Sequence, residues 1–165
     1  MSETATAVNP KGIFDRTTKG RRLEPVTVQV ERGRIQFFAQ VIGATDPIHS
    51  DVAAARAQGH PDIVAPPSFF TAIDAEVNEQ CRRLARPSTA ALVNCDFRYL
   101  LHGDETYEYL GPIFAGDEVA VTTTIVDFYD KKGGELEFVT FVSELGHAAR
   151  GALMRTTRTL LHRLP

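Results

Sequence analysis

The chain has 165 residues, 43% hydrophobic and 24% charged, the length and balance of one globular domain able to bury a core. That composition excludes a disordered chain and a disulfide-stapled miniprotein. With 18 Lys plus Arg against 21 Asp plus Glu, the formal charge of −3 leaves no overall basic field to gather phosphate backbones, so no nucleic-acid partner is expected.

The opening MSETATAVNP carries Glu3 and has neither a basic nor an apolar leader region. No later stretch approaches the ~20 apolar residues of a membrane span, so a cytoplasmic protein without a membrane partner is expected. Residues 1–12, polar and broken by Pro10 and Gly12, read as a flexible arm. The folded domain then covers residues 13–165, opening with a short helical turn near Ile13, Phe14 and Asp15. Residues 25–30 alternate apolar and polar side chains over a β-branched run, a strand signal. From 31 to 42, Ile35, Phe38, Ala39 and Ile42 recur at the spacing of one helical face, and Gly43 supplies the stop. Pro47 biases Asp46 away from helix, so residues 44–49 form a turn. Asp51 caps a short helix over residues 52–58, which Gly59 ends.

After a loop of His60, Pro61 and Asp62 comes the apolar run Ile63, Val64 and Ala65. Pro66 and Pro67 suit a helix start, where a missing N–H leaves no helical bond unmade. Phe70, Ile73, Val77, Cys81 and Leu84 stack along the helix that follows, the longest of the chain, which ends before Pro87. Beyond it the texture turns to β-branched and aromatic runs over residues 91–100, 106–110, 118–129, 135–143 and 152–161, read as strands, with residues 130–134 as a hairpin loop. Helices first and a strand meander second predict an α+β fold, with one long helix lying across a curled antiparallel sheet.

Cys81 and Cys95 match no CxxC pattern and read as buried thiols in a reducing compartment. His49, His60, His102, His147 and His162 form no HExxH or HxH array, so no metal site is expected.

His49 lies two residues after a proline turn with Asp46 close by, on a loop between helices where side chains face ligands as readily as core. The same residue types also serve structure, Asp46 as a turn cap and His49 as a backbone hydrogen-bond partner. The longer run carries a resemblance. FAQVIGATDPIH from Phe38 to His49, AAAR from Ala53 to Arg56 and DIVAPPSF from Asp62 to Phe69 are similar to the MaoC-like hotdog dehydratases, above all to their N-terminal, fatty-acid-synthase-type dehydratase branch. FAGDEV from Phe114 to Val119 resembles that family's turn into a long strand.

The resemblance spans the chain from about Val26 to the last strand. It implies a hotdog fold, an antiparallel sheet wrapped around a long central helix, that pairs as a homodimer or with a second hotdog subunit. It implies binding of acyl thioesters of coenzyme A or acyl carrier protein and, in catalytic members, reversible addition of water to a trans-2-enoyl thioester. That chemistry needs a base for the water, an acid for the α-carbon and N–H donors for the enolate oxygen, and it requires no metal or redox cofactor. Active members carry Asp, any residue, Asn, Pro, an aliphatic residue and His. His49, Ile48 and Pro47 match the last three, Asp46 falls on the asparagine and Ala44 on the aspartate. Active members commonly also have a helix-start glycine whose N–H can polarise the thioester carbonyl. Pro66 and Pro67 have no N–H, which leaves Ser68 as the first donor beyond them.

Two expectations follow. In one, Asp46 and His49 form a shifted acid–base dyad, with His49 as the base, and the chain is an enoyl-thioester hydratase or dehydratase. In the other it is a non-catalytic hotdog subunit that holds the acyl chain and pairs with an active partner. Ser68 and Phe69 are the expected substrate contacts, although Phe69, Phe70 and Ile73 at helical spacing also suit plain core. Arg82, Arg83 and Arg86 suit either coenzyme A phosphates or the negative end of the helix dipole. Asn94, Asp96 and Arg98 alternate along an expected strand, and His60 and Asp62 serve loop geometry.

Overall fold

The computed structural model describes residues 9–165, so positions 1–8 of the expected arm lie outside the described residues. Five strands, β1 (Val26–Gln29), β2 (Leu100–Tyr109), β3 (Glu118–Lys131), β4 (Leu136–His147) and β5 (Gly151–Arg163), form one antiparallel sheet in the order β1-β3-β4-β5-β2. The helices are α1 (Arg32–Val41), α2 (Val52–Ala57), α3 (Phe70–Arg83) and α4 (Thr89–Leu92). No helix among the described residues is long and apolar enough to cross a membrane.

The sheet earns its core from strand alternation. Val119, Val121 and Ile125 on β3 all turn inward, and a bulge between Ile125 and Asp127 resets the pleat so that Phe128 turns inward as well. The longest helix, α3, lays Phe70, Ile73 and Cys81 against this face. There they meet Val26 and Val28 of β1, Ile63 and Leu145. Each large side chain buried in this way contributes roughly 1.5–3 kcal/mol. A second cluster, built from Phe14, Val93, Ile125, Phe128, Val139 and Phe141, fills the other end of the sheet.

Three segments differ from the sequence expectation. Residues 91–99 are not a strand: Ser88 Oγ accepts the Ala91 N–H at 3.2 Å and starts α4, which ends at Asn94 in the left-handed region with φ 54°. Asn94, Asp96 and Arg98 therefore sit in a turn, where Asp96 accepts from both the backbone and the guanidinium of Arg98. Strand β2 begins at Leu100, six residues before the expected Thr106, because a polar, exposed edge strand lacks apolar alternation. Helix α3 begins at Phe70 rather than at the prolines, since Ser68 takes φ 64° and the Phe69 N–H closes a turn on Pro66 O at 3.1 Å.

Residues 9–15 are anchored. Asn9 Nδ2 donates to Asp130 Oδ1 and to Gly134 O, and the Ile13 and Phe14 N–H groups donate to buried Glu137. The helical turn falls at Arg16–Thr18, capped by Asp15.

Candidate active site

Pro47 forces the extended backbone at Asp46, φ −69° and ψ 122°, and a single 3-10 turn, Pro47–His49, follows. Asp46 Oδ1 accepts the Ile48 N–H at 3.1 Å, so its carboxylate caps the turn and stays exposed. The half-buried His49 reaches across to Val64, and its Nδ1 lies 2.7 Å from Val64 O. A carbonyl only accepts, so Nδ1 carries a proton, and in the neutral form of the ring the lone pair is on Nε2. Asp46 and His49 share the backbone bond His49 N–H to Asp46 O at 3.2 Å, and among the described residues no side-chain hydrogen bond or ion pair joins them.

The apolar run Ile63–Ala65 works as a brace for this turn. Val64 N–H donates to Ile48 O at 2.9 Å, Ala65 N–H to Ile113 O at 2.8 Å, and Ile63 O accepts from Ala115 N–H at 3.0 Å. Asp62 secures the near end: it accepts its neighbour Ile63 N–H and pairs with Arg32 at 2.6 Å, whose hydrogen bond holds its carboxyl below the usual carboxylate range. His60 lies against the Phe114 ring, centroids 5.7 Å apart.

The same stretch of chain runs on into Ser68 and Phe69. Phe69 is buried core, edge-on to Phe38 at 5.4 Å. The Ser68 N–H, the first donor after the two prolines, is directed at Tyr109 Oη at 3.2 Å. Tyr109 is a site residue the sequence reading missed. Its signal was the Tyr107 and Tyr109 alternation on one face of β2, where the two rings stack 6.0 Å apart. The Tyr107 phenol is pushed well above its ordinary value, first by burial and then by the charge of Glu105.

Other candidates resolve into structure. Arg82 and Arg83 bind Glu79 on the preceding turn of α3, at 2.6 and 3.0 Å. Cys81 and Cys95 are free thiols, both pushed up by burial. No cluster of metal-ligating side chains occurs among the described residues.

Residues 17–156 match the family described as FAS1-like, dehydratase domain region. The chain belongs to that family. A UPF0336 protein of Thermobifida fusca (strain YX) is 34% identical over 149 residues, covering 90% of this chain and 92% of the relative. The HadBC complex of Mycobacterium tuberculosis, described as a 3R-hydroxyacyl-ACP dehydratase, superposes with a TM-score of 0.69 at 20% identity, over 87% of this chain and 96% of that one. A MaoC-like dehydratase gives a TM-score of 0.72 at 20% identity, over 90% of this chain and 43% of that protein. These likenesses establish the hotdog fold. In this member of the FAS1-like dehydratase family, residues 63–65 brace the turn that carries His49.

Proposed function

We propose that this chain is the acyl-thioester-binding subunit of an enoyl-thioester hydratase or dehydratase, working in the cytoplasm beside a second hotdog chain that supplies the acid. The observation that carries this reading is the use of Asp46. Its carboxylate caps its own turn and makes no side-chain bond to His49, while Ala44 offers only a methyl group. In hydration, a base removes a proton from water as the water oxygen bonds to the β-carbon, the electron pair moves onto the thioester oxygen, and an acid then protonates the α-carbon. This chain offers the base at His49 Nε2. In this reading Ser68 and Tyr109 lie beside the thioester, Phe69 backs them from the core, and the acid comes from the partner.

Pairing is supported by the free edge of β2, where Leu101 and Tyr109, with neighbouring Phe97 and Leu110, expose 49–73% of their surface. HadBC, a structural neighbour, is itself described as a complex. The two free thiols suit a reducing compartment.

A second reading, in which the chain alone is a hydratase with His49 as base, is favoured by the Nδ1–H bond to Val64 O that leaves Nε2 free for water. Loss of enoyl-thioester absorbance, followed with the chain alone and with a candidate second hotdog chain, separates the two. Turnover that needs the second chain supports the subunit reading. Turnover by the chain alone, abolished by His49→Ala and weakened by Asp46→Asn, overturns it in favour of the shifted dyad.

A further inference from the structure

A cavity of about 630 Å³ runs along α3 toward α4 and the inner face of β4 and β5. Phe97, Phe141 and Leu160 make much of its wall apolar. One band of that wall is not. Arg158 Nη1 on β5 donates to Asp74 Oδ2 on α3 at 2.8 Å, with only 16% and 14% of these side chains exposed. Asn78 Nδ2, one turn on, donates to Asp74 O at 2.8 Å, which leaves the Asn78 side-chain carbonyl without a partner among the described residues. Arg158 Nε is buried and unpaired. Glu105, opposite Arg158 in the β2–β5 ladder and outside the cavity wall, buries an unpaired Oε1 as well. Asp74 lies four residues, about 6 Å of helix rise, past Phe70 at the start of α3.

We infer that this cavity takes the tail of an acyl thioester bearing a hydroxyl group partway along its chain. The inference rests on the reading of the chain as an acyl-thioester-binding subunit and adds to it the class of acyl group. A plain hydrocarbon laid over Asp74, Asn78 and Arg158 strips water from them and returns no hydrogen bond. A hydroxyl both accepts from a guanidinium N–H and donates to the Asn78 carbonyl. An oxo group has no proton for Asn78, and a carboxylate tail meets the like charge of Asp74. Sites built to bond a hydroxyl reject the analogue that lacks it, because their own polar groups are then left unpaired. The same ion pair ties α3 to β5, so the test must read selectivity rather than stability.

The experiment is isothermal titration of the full chain with a medium-chain saturated acyl-CoA and with its isomers carrying one hydroxyl at successive mid-chain carbons. One isomer binds at least about tenfold tighter than the plain chain. Asn78→Leu removes that preference, weakening the hydroxy isomer and tightening the plain chain. Should Asn78→Leu fail to fold, the charge-free pair Asp74→Leu with Arg158→Leu tests the same shift. Plain chain bound as tightly as every isomer overturns this inference and leaves the thioester-binding reading standing, as does a preference that survives both variants. Absence of binding by any acyl-CoA overturns both.

Discussion

His162 Nδ1 donates to Glu137 Oε1 at 2.7 Å, with neither side chain exposed. His162 Nε2 accepts the Asp96 N–H at 3.0 Å, so the imidazole is neutral, and Phe14 stacks on it at 3.9 Å. Glu137 also receives the N–H groups of Ile13 and Phe14, so the carboxylate joins β4, β5 and the N-terminal segment, and His162 extends the link to the turn before β2. Glu137→Ala leaves two buried donors and one half-buried donor unpaired and is expected to lower unfolding free energy by about 3–5 kcal/mol. Urea unfolding checks this, and a loss under about 1 kcal/mol would show that the N-terminal segment is held elsewhere.

Ser68 takes φ 64°, a left-handed backbone that costs a side-chain-bearing residue roughly 1–2 kcal/mol. Ser68→Gly is expected to raise stability by about 0.5–1 kcal/mol in thermal unfolding, since it relieves that strain but loses the Ser68 Oγ bond to Pro67 O at 2.6 Å. The N–H directed at Tyr109 is kept. A net loss would mean that the hydroxyl bond outweighs the backbone strain.

Periodicity made the main elements legible. Ile35 and Ala39 of α1, Phe70 and Ile73 of α3 and the β3 alternation are repeating patterns that tertiary packing simply uses. The stretch after Pro87 was misread because its Ala, Leu and Val content outweighed a single capping serine at Ser88 and a turn-forming Asn94. At the site, the two structural roles open to Asp46 and His49, a turn cap and a backbone hydrogen bond, were visible in local sequence and are the contacts they make. The meeting of Ser68 with Tyr109, 41 residues apart, was not legible, since nothing local fixes the register that brings the end of β2 to the start of α3.

Glu79 is held at about 2 by its hydrogen bond to Arg82, with a further bond to Arg83. A carboxyl lowered in the folded state adds stability that is complete above its ordinary value of 4.5 and is lost as pH falls through about 2. Carbon NMR of the Glu79 carboxyl is expected to give a midpoint near that value, moving back toward 4.5 in Arg82→Ala. An unchanged midpoint in Arg82→Ala would assign the shift to Arg83.

Ala44 offers the sharpest test of the acid–base reading. Its N–H is fixed on Ala39 O at 2.9 Å, ahead of the turn that carries His49, and the residue is half-buried. Ala44→Asp places a carboxyl two residues before Asp46, whose own carboxylate is held by Ile48 N–H. A positioned acid or base typically contributes 10²–10⁴-fold to such reactions, in order of magnitude. The isolated Ala44→Asp chain is therefore expected to hydrate trans-2-enoyl-CoA at least about a hundredfold faster than the unmodified chain, and His49→Ala in the same background should return it to baseline. A folded Ala44→Asp chain with unchanged turnover would show that position 44 does not face the thioester, and would move the search for the acid wholly to the partner.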